Sequence, residues 1–281
     1  MSDSAAISPT AHYTGQVWAR NGLAPEELSS WQGRVMFAGL EPVMAISRWT
    51  GGPSLEPYLL ARHRAIDALL EQSLGEDGVT QVLEVASGLS ARGWRFTERH
   101  GDALTYIEAD LPGMAQRKRA SLARLGAHHP SLRVVDVDAL QAGGPGSLEE
   151  LAATLDPQRG LVIITEGLTG YLDNDDLLDL WRRLASILSG FDNGRYLTDL
   201  TPQSSGRNPV VRAGRLLLGG FVRGRVHLHF ADELAAAAAL RDCGFAEASL
   251  RPAHEIVAAA GQPASLSLAR IADARVARRC S

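Results

Sequence analysis

The chain has 281 residues, of which 45% are hydrophobic and 21% charged, and a formal net charge of −4. This length and apolar content suit one large α/β domain better than two small ones. The mildly acidic balance and the lack of a basic stripe argue against a nucleic-acid binder, and no run approaches the ~20 apolar residues of a membrane-spanning helix.

The polar start, MSDSAAISPT, lacks a basic n-region and an apolar h-region, so no signal peptide is expected and a cytoplasmic protein is. Residues 27–74 read as mostly helical. In SLEPYLLARHRAIDALLEQSLG, Leu59, Leu60, His63, Ile66, Leu69 and Leu70 recur near helical spacing before Gly75. Strands and helices then alternate. TQVLEVA, ALTYIEAD, LRVVDVD, GLVIITEG and GRYLTDL are strand candidates. SARGWRFTERHG, GMAQRKRASLARLG, SLEELAATL and NDDLLDLWRRLASILSG are the helices between them. Short apolar runs without alternation mark strands buried on both faces, hence a doubly wound, mostly parallel sheet between helices. After Leu200 a Gly- and Arg-rich stretch leads to the helix ADELAAAAALRDCG. The last two strands, FAEASLRP and ASLSLARIAD, are separated by little helical sequence and predict an antiparallel edge. The QRKR run at 116–119 reads as a solvated helix face. Cys243 and Cys280 have no zinc or Cys-x-x-Cys spacing and read as free thiols.

The turn after the first strand, VASGLSARGWRF, is the candidate cofactor site. Gly88 and Gly93 have the separation of a phosphate-binding loop, but Trp94 and Arg95 stand where that loop needs its lysine and hydroxyl. The glycine triplet of a dinucleotide fold is also missing. S-adenosylmethionine has no pyrophosphate. One glycine then suffices, provided an acid at the next strand end accepts from the ribose. Glu108 and Asp110 end the second strand, Asp136 and Asp138 the third, Glu84 lies near the first turn and Glu166 ends the fourth. In a doubly wound sheet these ends share one crevice.

HYTGQVWARN, RAIDALL, VLEVASGLSARGWRF, YIEADLPGMAQRKRASL, VVDVDAL, VIITEGLTGYL and LRDCGF occur in this order over most of residues 12–245. In them the chain resembles the leucine carboxyl methyltransferases and the tetracenomycin-type polyketide O-methyltransferases. The resemblance implies a class I methyltransferase fold: a seven-stranded sheet, an N-terminal helical extension (1–76), a cofactor-binding core (77–200), a helical acceptor-site cover (201–230) and a final helix with closing strands (231–281). It implies S-adenosylmethionine as cofactor and a carboxylate or phenolic oxygen of a small, polyketide-like molecule as acceptor. Gly88 is then the turn glycine, Glu84 near the end of the first strand is a further cofactor-binding candidate, and Arg92 pairs with the cofactor carboxylate, helped by Arg64. Asp110, beside Glu108, is the ribose acid. Asp136 and Val137 flank adenine, and Glu166 with Gly167 lines the cleft, Tyr171 packing behind. Tyr13, Thr169, Tyr171, Arg212 and Arg215 are the acceptor-side candidates. Two departures stand out: ASGLSAR replaces the family's GaGfDtR, and Thr169-Gly170 replaces bulkier residues, which would widen the cleft floor.

A carboxylate acceptor needs no base at neutral pH, whereas a phenol does. His227 and His229, two apart in RVHLHF, share one face of an extended segment. They fit a base, ordinary packing, or part of a metal site that would need a third ligand, and no metal is expected. A nicotinamide oxidoreductase is disfavoured by the missing glycines. A non-catalytic methyltransferase-fold scaffold remains the alternative because of the altered ASGLSAR.

Overall fold

The computed structural model describes residues 9–49, 55–126, 128–204, 227–264 and 267–277. Three helices open the chain: α1 (Pro9–Arg20), α2 (Trp31–Trp49) and α3 (Leu55–Gly75). The alternating core follows as β1 (Val79–Val85), α4 (Arg92–His100), β2 (Thr105–Asp110), α5 (Pro112–Leu125), β3 (Leu132–Asp136), α6 (Leu148–Ala152), β4 (Gly160–Thr165), α7 (Asn174–Leu188) and β5 (Gly194–Leu200). It closes with α8 (Glu233–Asp242), β6 (Glu247–Pro252), α9 (Ala253–Ala259) and β7 (Arg270–Arg275).

The seven strands form one sheet in the order β3-β2-β1-β4-β5-β7-β6. β1 to β5 run parallel, and β7 is antiparallel to both β5 and β6. Every residue of β4 and β5 is buried, as helices on both faces require. One face carries Leu83, Ile107, Ile163 and Tyr196 against α6, α7 and α8. The other carries Val82, Tyr106, Val162 and Leu197 against α3, α4 and α9.

Helix ends follow local rules. The Ser147 and Asp173 side chains accept from Glu150 and Asp176 N–H at the starts of α6 and α7. Gly126, left-handed at φ +68°, stops α5. Arg195 ties the far side together, with its fork on Asp273 of β7 at 2.8 and 2.7 Å and Nη1 on Ser73 Oγ of α3 at 2.7 Å.

Two expectations need correction. The polar start contains α1, whose Tyr13, Val17 and Trp18 are buried at helical spacing. A seven-residue helix, α9, separates the last two strands. The expected antiparallel edge is present, with β6 outermost and β7 inserted beside β5. The expected helical cover at 201–230, with Arg212 and Arg215, falls largely on 205–226 and so outside the described residues.

Candidate functional site

The sheet order reverses between β1 and β4, which opens a crevice at the carboxyl ends of these two strands. β1 ends in a tight turn. Gly88 takes φ +52°, and its N–H donates to Asp110 Oδ2 at the end of β2 across 2.7 Å. The other Asp110 oxygen accepts from Leu111 N–H at 2.8 Å, and burial pushes this carboxyl above its ordinary pKa. Ala86 sits at φ +53°, left-handed without being glycine. A Cβ there costs about 1–2 kcal/mol, so Ala86→Gly is expected to raise stability by about 1 kcal/mol, read from the urea midpoint. A loss of stability would mean that the Ala86 methyl packs well enough to outweigh the strain.

Beneath the turn, Lys118 Nζ donates to Ser87 Oγ at 3.1 Å and lies 2.9 Å from Glu108 Oε1. The charge of Lys118 is the closest partner of this buried carboxyl. Burial first, then the charge of Glu84, pushes Glu108 up to about 7, with Lys118 pulling against them. A Cβ on Gly93 would lie 2.7 Å from Glu108 Oε1, so glycine is what lets α4 close over this acid. Within QRKR, Gln116 and Arg119 are exposed as a solvated face requires, but Lys118 departs from the expectation and is fully buried.

Beside the turn lies a buried ionic cluster. The Arg92 guanidinium, with no exposure, donates to Asp67 Oδ1, Glu84 Oε1 and Glu166 Oε2, each at 2.6 Å. Glu84 also accepts from Tyr106 Oη at 2.6 Å. Glu166 in turn accepts from Arg62 Nε at 2.9 Å and meets His63 Nδ1 at 2.8 Å. Arg62 Nη1 reaches Asp199 at 3.1 Å, and Arg95 completes the set on Asp67 at 2.6 Å. Burial pushes Glu166 upward, but His63, Arg92 and Arg62 outweigh it and hold its carboxyl well below the usual range.

These contacts correct three roles. Arg92, expected to meet a ligand carboxylate, is already surrounded by three of the protein's own. Glu84 anchors Arg92 and Tyr106. Arg64 is half-buried and joins none of these acids, whereas Arg62, on nearly the opposite side of α3, does. Sequence reasoning missed Arg62, Asp67 and Asp199, and took His63 for part of an apolar stripe. The rule that flagged acids at the other strand ends, extended to GRYLTDL, would have found Asp199.

On the β3 side, Asp136 is exposed and pairs with Arg119 at 2.8 Å, while buried Val137 donates its N–H to Asp110 O. On the β4–β5 side, Gly167 (φ +74°) donates to Asp199 Oδ1 at 2.6 Å. Thr169 is buried, with Oγ1 on Asp199 O at 3.0 Å. Tyr171 is 37% exposed. Tyr13, stacked on Phe37, is buried. The two histidines do come together, rings 5.8 Å apart at 16°, against the turn after Glu166. This segment is bonded to the Thr169-Gly170 turn through His227 N–H to Gly170 O and His229 Nε2 to Thr169 O.

The leucine carboxyl methyltransferase family profile matches residues 19–185, more than half of the chain. The chain belongs to this family. A relative named for S-adenosyl-L-methionine-dependent methyl transfer, from Mycolicibacterium gilvum, is 35% identical over 158 residues, 56% of this chain and 45% of its own. One of the same description from Mycobacterium leprae is 36% identical over 115 residues, 41% of this chain and 37% of its own. The chain spans less than half the length of these curated relatives. Among solved structures, a methyltransferase-type protein from Thermobifida fusca superposes with a TM-score of 0.65 at 14% identity, covering 99% of this chain and 97% of its own. A DUF574 family protein from Streptomyces avermitilis gives 0.64 at 16% identity, covering 95% and 97%. The fold of this family member is the class I, Rossmann-like methyltransferase fold. Among the described residues, no helix is long and apolar enough to cross a membrane.

Proposed function

We propose that the chain is a cytoplasmic S-adenosylmethionine-dependent O-methyltransferase whose acceptor is a carboxylate or phenolic oxygen of a small, polyketide-like molecule. The Gly88–Asp110 bond carries this reading, because it joins an open glycine turn to an acid in the crevice. The residues suit the cofactor. Each Asp110 oxygen accepts one backbone N–H, which leaves lone pairs for vicinal ribose hydroxyls. Among the described residues, a Cβ at Gly88 would meet only Ala11, at 3.7 Å, so there the backbone is open to close approach. Asp136 and Val137 are the adenine neighbours. Arg62, with 11% side-chain exposure against none for Arg92, replaces Arg92 and Arg64 as the partner of the cofactor carboxylate. Glu166 and Gly167 then border its amino group. The cofactor supplies an electrophilic methyl group, and the protein's task is alignment and exclusion of water. Tyr13, Thr169 and Tyr171 remain acceptor-side candidates.

Calorimetry tests the reading. The chain should bind S-adenosylmethionine and not a nicotinamide dinucleotide. Asp110→Ala should weaken that binding about tenfold or more, the value of a lost charge-assisted bond of roughly 1.5–3 kcal/mol. Unchanged affinity in a folded Asp110→Ala protein would remove the ribose site from this acid.

A further inference from the structure

We infer that the acceptor oxygen is a phenol-type hydroxyl and that His229, through Nδ1, is the base that takes its proton. This rests on the methyl-transfer reading above and narrows its acceptor class. With the nucleoside on the β1–β3 side of the crevice, the acceptor is left the β4–β5 side. There the segment carrying His229 is tied down twice. His227 N–H donates to Gly170 O at 2.9 Å, and His229 Nε2 lies 2.9 Å from Thr169 O. Thr169 is itself held by Asp199 O at the end of β5.

A carbonyl oxygen only accepts, so His229 Nε2 carries the hydrogen. In the neutral ring Nδ1 then keeps its lone pair, as a base requires. The parallel His227 ring, 5.8 Å away, disfavours a second positive charge. Burial, followed by His227, lowers the His229 pKa. The Thr169 carbonyl and Asp173, at the start of α7, raise it. The ring is thus neutral at pH 7. Its orienting partner is a peptide carbonyl rather than a carboxylate, which gives a modest base matched to a phenol (pKa about 10) rather than to an aliphatic alcohol. A carboxylate acceptor would leave the arrangement idle.

In the step, the hydroxyl proton moves to Nδ1 and the oxygen lone pair forms the new carbon–oxygen bond. The carbon–sulfur pair leaves with sulfur, giving S-adenosylhomocysteine, and the imidazolium returns its proton to water.

The test uses the full chain. In ¹⁵N-histidine NMR of the protein without cofactor, His229 should show a protonated Nε2 and an unprotonated Nδ1. Methyl transfer is then measured to 1-naphthol and to 1-naphthoate in wild type and His229→Gln. Glutamine keeps an amide donor for Thr169 O but has no base. It should keep wild-type S-adenosylmethionine affinity and lose naphthol transfer by about a hundredfold or more. An Nδ1-protonated tautomer, naphthol transfer retained in His229→Gln, or transfer confined to naphthoate would each overturn the inference. Failure of wild type to bind S-adenosylmethionine by calorimetry would instead overturn the methyl-transfer reading and leave the tautomer result standing.

Discussion

Arg92→Ala is expected to lower stability by about 3–5 kcal/mol, the cost of breaking a buried ion pair by deleting one partner. The guanidinium is fully buried and serves three carboxylates, Asp67, Glu84 and Glu166. Its removal strands negative charge under α3 and α4, where water cannot replace it. A fall in Tm on the order of 10 °C should accompany the change. Arg92→Lys should fall between, because an ammonium keeps the charge but cannot span three acids placed around a planar fork. Thermal and urea unfolding measure both. If Arg92→Ala unfolds like wild type but no longer binds S-adenosylmethionine, the arginine is a ligand residue and the cluster is not its purpose.

Acid should unfold the protein early. Burial pushes Asp67 upward, but His63, Arg92 and Arg95 together outweigh it and hold the carboxyl at about 2, from an ordinary 3.8. Glu166 is depressed too, against its own burial, by His63, Arg92 and Arg62. A folded-state pKa below the unfolded one contributes stability that is present above the unfolded pKa and lost as pH falls through the folded one. Asp67 alone accounts for about 2 kcal/mol, lost between roughly pH 4 and 2, and Glu166 adds to it. Glu108, raised to about 7 by burial and Glu84, has the opposite sign. Its contribution is present below about 4.5 and disappears as pH rises through 7. In the acid window it is protonated in both states and cannot mask the loss. Urea midpoints should therefore drop steeply from pH 4 to pH 3. A flat profile there would mean that the cluster's carboxylates are no better solvated in the folded protein than in the unfolded chain.

Much of the architecture was legible because it is local. The apolar run of β4, the caps Ser147 and Asp173 and the stop at Gly126 depend on neighbours a few residues away, and the order of strands and helices with it implied the sheet class. So did the association of Gly88 with Asp110, since parallel strands must end on one side. α9 escaped because seven residues carry too few turns to show a period, and α1 because its buried stripe is diluted by polar residues.

The assignment of charges was decided only by tertiary structure. Arg62 and Arg64 are equivalent in sequence, yet a helix turns about 100° per residue, so only one of them can face the crevice. Which one follows from how α3 lies on the sheet. Lys118 sits in a run of four polar residues, and only the seat of α5 against β2 and the Ser87 turn buries it. The partners of Arg92 come from α3, β1 and the end of β4, up to 74 positions away. Sequence spacing determines which residues share an element's face, but the energy of a buried charge depends on what the other elements bring to it, and that exists only once the chain is folded.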